Sequence, residues 1–174
     1  MLVVYAQLSI SDVDRSRIDA VRRANDPQYL LVAPHFTFVF PVEDIPIRSL
    51  NAHAMAIAVT TPPIEFRLTR ATAARDALAP RSHVFLLPAH GERELRELHA
   101  RLYSGPLAAK LHPTLAYHPH VTIAAFGDHG DAERLAAKLA GVDISGLITT
   151  LTIGELESGT LIERHHIHLA NIAE

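Results

Sequence analysis

The chain has 174 residues, 48% of them apolar and 20% charged, with a formal net charge of -3. That suits one domain burying its own core and excludes the broad basic face that long nucleic acid requires. Cysteine is absent, which removes disulfides, thiolate nucleophiles and cysteine-based zinc sites together.

The opening Met1-Leu2-Val3-Val4-Tyr5-Ala6 has no basic leader, is too short to span a bilayer and is interrupted by Gln7 and Ser9. The reading is a soluble cytoplasmic protein with no membrane partner. Residues 2 to 9 predict a strand, and Ser11-Asp12 supply an N-cap for a charged helix to about Asn25, ended by Pro27. A loop over 26–34 delivers a strand that starts at Pro34 and stops at Pro41. A helix falls within 49–59, where alanine and leucine dominate, and Pro62-Pro63 then forces extended backbone into a strand from Ile64 to about Thr72.

The second half repeats this order. His83 to Leu87 predicts a strand, and Leu95, Leu98 and Leu102 lie at helical spacing within 92–103. A strand follows Pro119, then a helix over about 131–140 and two strands near 147–157 and 161–169, joined at Ser158-Gly159. Both halves thus read strand, helix, strand, helix, strand, with one more strand at the C-terminal end. The predicted architecture is α+β: one domain of two pseudo-symmetric lobes, about 1–78 and 79–174, with antiparallel sheets flanking a central cleft and helices outside.

The second strand of each half carries the chemistry. Pro34-His35-Phe36-Thr37-Phe38 and Pro119-His120-Val121-Thr122-Ile123 both read Pro-His-apolar-Thr-apolar. The bare H-x-T is weak, because with twelve histidines it arises about once by composition. His112-Pro113-Thr114 is such a case, and its proline argues against a central strand. The full pentad is expected roughly a hundredth of a time, so two copies in matching places carry weight. On an extended strand His35 and Thr37 share one face while Phe36, Phe38 and Phe40 take the other; His120 and Thr122 oppose Val121 and Ile123 in the same way.

Two converging histidines supply a base and an acid near neutral pH. In-line displacement at phosphorus needs both: one imidazole deprotonates the attacking water or hydroxyl, and the other protonates the leaving oxygen. Thr37 and Thr122 would donate hydrogen bonds to non-bridging phosphate oxygens, and neither a metal nor another cofactor is required.

The segments PHFTFVFP and YHPHVTIAAF resemble the two signatures of the 2H phosphoesterases, and the strand order is similar to that of small bacterial 2'-5' RNA ligase-like members. The resemblance implies a two-lobed fold and metal-independent opening or forming of cyclic 2',3'- or 2'-5' phosphodiesters. It assigns His35 and His120 to catalysis and Thr37 and Thr122 to phosphate binding. RNA-processing members often continue the second motif with an arginine, where this chain has Ala125. With no tryptophan and 6% aromatic residues, stacking platforms for bases are scarce. The implied partner is therefore a small nucleotide or RNA-end phosphate.

Two other classes stand beside this one: a non-catalytic nucleotide- or RNA-binding module, and a metal-dependent hydrolase using the C-terminal His165-His166-Ile167-His168 cluster, where His166 and His168 would share a strand face as His118 and His120 would. Arg67, Arg70 and Arg75 read as surface residues that could supply phosphate charge. Tyr5 and Tyr117 read as core packing with a bonded hydroxyl or as pocket lining.

Overall fold

The computed structural model describes residues 1–76 and 79–170; the expected lobe boundary near residue 78 lies outside them. Strands β1 (Leu2–Gln7), β2 (Ser9–Ile10), β3 (His35–Val42), β4 (Ile64–Arg75), β5 (Ser82–His90), β6 (Val121–Phe126), β7 (Ile144–Ile148), β8 (Thr150–Glu157) and β9 (Thr160–His168) alternate with helices α1 (Asp12–Asn25), α2 (Ile47–Ala58), α3 (Glu92–Leu102) and α4 (His129–Lys138). A 3-10 helix, Gly105–Lys110, follows α3.

Local chemistry accounts for the helix starts. The Ser11 side chain accepts the Asp14 N–H at 3.1 Å, and Asp12 and Asp14 occupy the first turn, where the helix dipole favours acids. α3 begins at Gly91, whose φ of 82° lies in the left-handed region and whose missing Cβ would strike the Glu65 carbonyl. From there Leu95, Leu98, His99 and Leu102 form one buried stripe.

The strands make one antiparallel sheet in the order β2-β7-β4-β5-β6-β3-β1-β8-β9. At its centre β3 and β6 meet through a single pair, Phe36 opposite Val121, both fully buried. Outward from this joint the two sides correspond, β3-β1 on one and β6-β5 on the other. α1, which follows β1, packs on β6; α3, which follows β5, packs on β3. Each side draws strands from both halves of the chain, because α2 carries the chain from β3 across the joint to β4, and β8 and β9 return to pair outside β1.

Some elements differ from the sequence reading. The first strand breaks at Leu8, whose N–H goes to the Pro34 carbonyl at 3.2 Å, and Ser9–Ile10 pairs with β7 instead. The strand expected over 147–157 is two, because Ile144–Ile148 pairs with β4 while Thr150–Glu157 pairs with β1 and β9. β4 runs on to Arg75 against β5. The β8–β9 turn is where it was expected, with positive φ at Ser158 and Gly159 as a two-residue hairpin loop of this hand requires.

Candidate active site

From Pro34 to Val39 and from Pro119 to Ala124 the burial sequence is closely matched: a part-exposed histidine, a buried apolar residue, a part-exposed threonine, then two buried residues. The double burial has a common cause. Tyr5 pairs with Thr37 but Val4 with Val39, which leaves Phe38 as an extra residue in β3; Phe85 pairs with Thr122 but Val84 with Ala124, which leaves Ile123 extra in β6. Each motif therefore ends in a β-bulge at the position after its threonine, the kind of irregularity that re-aims side chains at sites. It also inverts the alternation beyond, so Phe40, expected in the core, is 46% exposed while Val39 is fully buried.

The joint brings the four expected residues together. Phe36 and Val121 meet on the core face, and the part-exposed residues next to them in each chain segment are His35 and Thr37 on one side of the joint and His120 and Thr122 on the other. Each imidazole is held alike. His35 Nδ1 lies 2.9 Å from the Ala33 carbonyl and His120 Nδ1 2.7 Å from the His118 carbonyl, two residues back in both cases. A carbonyl only accepts, so both neutral rings carry hydrogen on Nδ1 and keep the Nε2 lone pair. Neither Nε2 and neither threonine hydroxyl is bonded to another described residue. An aromatic ring from the neighbouring strand, opposite the threonine, braces each imidazole: Tyr5 edge-on to His35 at 5.2 Å, and Phe85 against His120 at 4.0 Å.

Burial lowers the pKa of both imidazoles, His35 helped by the positive Arg22 and by His120, His120 by His83 and His118.

The loops before the motifs are anchored by arginines that the sequence reading passed over. Arg22, on α1 and 2% exposed, bonds Asp26 at 2.8 Å and donates to the Val32 carbonyl at 2.8 Å. Arg96, on α3, donates to the Tyr117 carbonyl. Val32 and Tyr117 each lie three residues before their histidine. No sequence signal revealed the match, because only a loop separates α1 from its motif whereas the 3-10 helix and a further irregular segment intervene after α3.

The flanks differ. Beside His35, Gln7 is its cross-strand partner, and Tyr5 and Gln7 donate to Glu163 at 2.7 and 2.9 Å, with Gly154 leaving room for the Tyr5 ring. Beside His120, Phe85 also stacks on His83, which contacts Asp76 at 3.1 Å. The Tyr5 and Tyr117 hydroxyls are both bonded, the latter to the Thr37 carbonyl. Arg67 pairs with exposed Asp143, and Arg70 lines a groove between β4 and α4. His166 and His168 bond Thr152 and Thr150, and no group of three His, Asp or Glu side chains is arranged to hold a metal ion among the described residues. His112-Pro113-Thr114 is exposed and outside any strand.

A family model described as the 2'-5' RNA ligase superfamily matches residues 10–160. A Bacillus licheniformis protein named "Putative phosphoesterase" is 27% identical over 168 residues, covering 95% of this chain and 86% of that one. A Geobacillus thermodenitrificans protein of the same name is 30% identical over 124 residues, covering 70% and 66%. Among solved structures, apo LigT of E. coli matches with a TM-score of 0.57 at 18% identity, covering 98% of this chain and 97% of that one. The protein TT0787 of Thermus thermophilus matches at 0.65 and 17% identity, covering 99% and 100%. The α+β fold, helices packed on one antiparallel sheet, is the fold of these structures.

Proposed function

We propose, for a chain that belongs to the 2'-5' RNA ligase superfamily, a metal-independent phosphoesterase that opens or forms a cyclic 2',3'- or 2'-5' phosphodiester. The observation that supports this reading is the Phe36–Val121 joint, which is flanked on each strand by one histidine and one threonine, each histidine bonded through Nδ1 to the carbonyl two residues back. In the opening direction one Nε2 takes a proton from water as its oxygen bonds to phosphorus. The P–O bond to the ribose oxygen breaks, and the Nε2–H of the other imidazole, which enters the step as a cation, protonates that oxygen. Thr37 and Thr122 donate to the non-bridging oxygens, whose charge must be held throughout. Reversal forms the bond.

The substrate class is a small nucleotide or an RNA end. LigT, whose fold this chain shares, has been crystallised complexed with phosphate, 3'-AMP, ATP and NADP+, which supports a nucleotide-sized ligand. The carboxylate of Glu163, bonded to Tyr5 and Gln7 on the strand next to His35, disfavours a run of phosphates there, and Ala125 offers no cation after the second motif. The test is a panel of 2',3'-cyclic nucleotides and 2'-5' linked dinucleotides, assayed with and without chelator, using wild type, His35→Ala and His120→Ala. Chelator-resistant turnover lost in both variants is the expected result; turnover that survives either substitution overturns the reading.

A further inference from the structure

We infer that Tyr117 is a positioning residue that fixes the spacing between the two His-Thr motifs, acting as a strut from the backbone of one to the imidazole of the other. The inference rests on the function proposed above.

β3 and β6 share one residue pair and then diverge. Past Phe36, the β3 carbonyls on that side have no strand to bond, and a buried unmet carbonyl is costly. Three side chains meet this stretch of β3: the Tyr103 hydroxyl accepts the Phe40 N–H at 3.1 Å, and two others reach the carbonyls. The Tyr117 hydroxyl donates to the Thr37 carbonyl at 2.9 Å, and His99 Nδ1–H donates to the carbonyl of Phe38, the bulged residue, at 2.7 Å. The two rings stack at 3.7 Å with 5° between their planes, and Phe40 packs edge-on to Tyr117 at 6.4 Å.

The other end of the strut is backbone. The Tyr117 carbonyl accepts from Arg96, which also reaches His118 Nδ1 at 3.0 Å, and the His118 carbonyl holds His120 Nδ1. One side chain and a few peptide units thus connect Thr37 to the His120 ring, both ends tied to α3. A phosphate held between the motifs needs that distance fixed, because misplacement of about 1 Å costs on the order of a hundredfold in rate.

Tyr117→Phe tests this, since it keeps the stacked ring and removes only the hydroxyl. Imidazole NMR titrations of His35 and His120, with and without inorganic phosphate, read the spacing without turnover. In wild type the two rings perturb one another's titration; in Tyr117→Phe that mutual perturbation shrinks and phosphate affinity falls, while both rings keep hydrogen on Nδ1. On a cyclic phosphate that wild type turns over, kcat falls about tenfold with KM changed less. Arg96→Met gives the same pattern, and Arg96→Lys, which keeps one donor to the Tyr117 carbonyl, restores part of the loss. Unchanged mutual titration and unchanged phosphate affinity in both Tyr117→Phe and Arg96→Met overturn the strut. Absence of turnover in wild type overturns the proposed reaction, and the titrations tell the two failures apart.

Discussion

Phe36 and Val121 face each other as the pair through which the two sides of the sheet join, and His35, Thr37, His120 and Thr122 are their immediate neighbours in the chain. Both are fully buried, and the Phe36 ring meets Phe66 edge-on at 5.3 Å. Because the core pair and the polar quartet occupy opposite faces of the same two strands, packing on one side fixes geometry on the other.

Phe36→Ala should therefore damage both. The cavity is expected to cost about 3–5 kcal/mol, and the loss of a fixed joint lets His35 and Thr37 drift from Thr122 and His120. Denaturant melts measure the first, and phosphate titration at a temperature where the variant stays folded measures the second. A variant that is destabilised yet binds phosphate as wild type does contradicts the coupling of core and site.

Removal of the reacting groups should be graded. His35→Ala and His120→Ala are each expected to lower kcat/KM by about a hundred- to ten-thousandfold. Thr37→Val and Thr122→Val, which keep shape and lose the donor, should cost no more than about a hundred- to a thousandfold. Serine at either threonine position retains the hydroxyl and should recover most of the rate. Losses in the valine variants larger than those in the histidine variants would reverse the assigned roles.

The pH behaviour follows from burial of the imidazoles. Catalysis needs one ring neutral and one protonated, so kcat/KM should be bell-shaped, with its maximum on the acid side of the ordinary histidine pKa of about 6.5, because burial lowers both groups in the free protein. Bound phosphate favours the imidazolium, so the maximum of kcat should lie at higher pH. Stability has the opposite sense. His35, His99 and His120 are all held below the ordinary value, burial being the main cause. Their contribution is intact above the unfolded value; below it the unfolded chain gains protons that the native state resists, so stability falls as pH drops. Melting curves from pH 8 to pH 5 should show this fall, made shallower by glutamine at the three positions together.

The quartet itself was legible in the sequence because it depends on local periodicity. Proline before histidine, and apolar residues alternating with His and Thr, define a strand with one polar face wherever it docks. Ser11 and the leucine stripe of α3 were legible for the same reason. What escaped depends on partners distant in sequence. Nothing around Phe38 or Ile123 marks a bulge, since the register of Tyr5 and Phe85 creates it, and Phe40 was misplaced as a result. Arg22 and Arg96 read as ordinary helix cations, their targets being carbonyls that only folding brings near. Glu163 lies 158 residues from the tyrosine it accepts from.

Arg22 illustrates how much such an anchor supports. Its side chain and that of Asp26 are 2% and 4% exposed, and its second nitrogen holds the Val32 carbonyl ahead of His35. Arg22→Met leaves the Asp26 carboxylate buried without its cation, which is expected to cost about 3–5 kcal/mol. Asp26→Asn on that background removes the stranded charge and should restore much of the stability. It should not restore activity, because the donor to Val32 is still missing and the loop over 26–34 no longer fixes the histidine that follows it. Urea melts and kcat measured on the single and double variants separate the two effects. Recovery of both in the double variant would make the arginine a matter of charge balance alone.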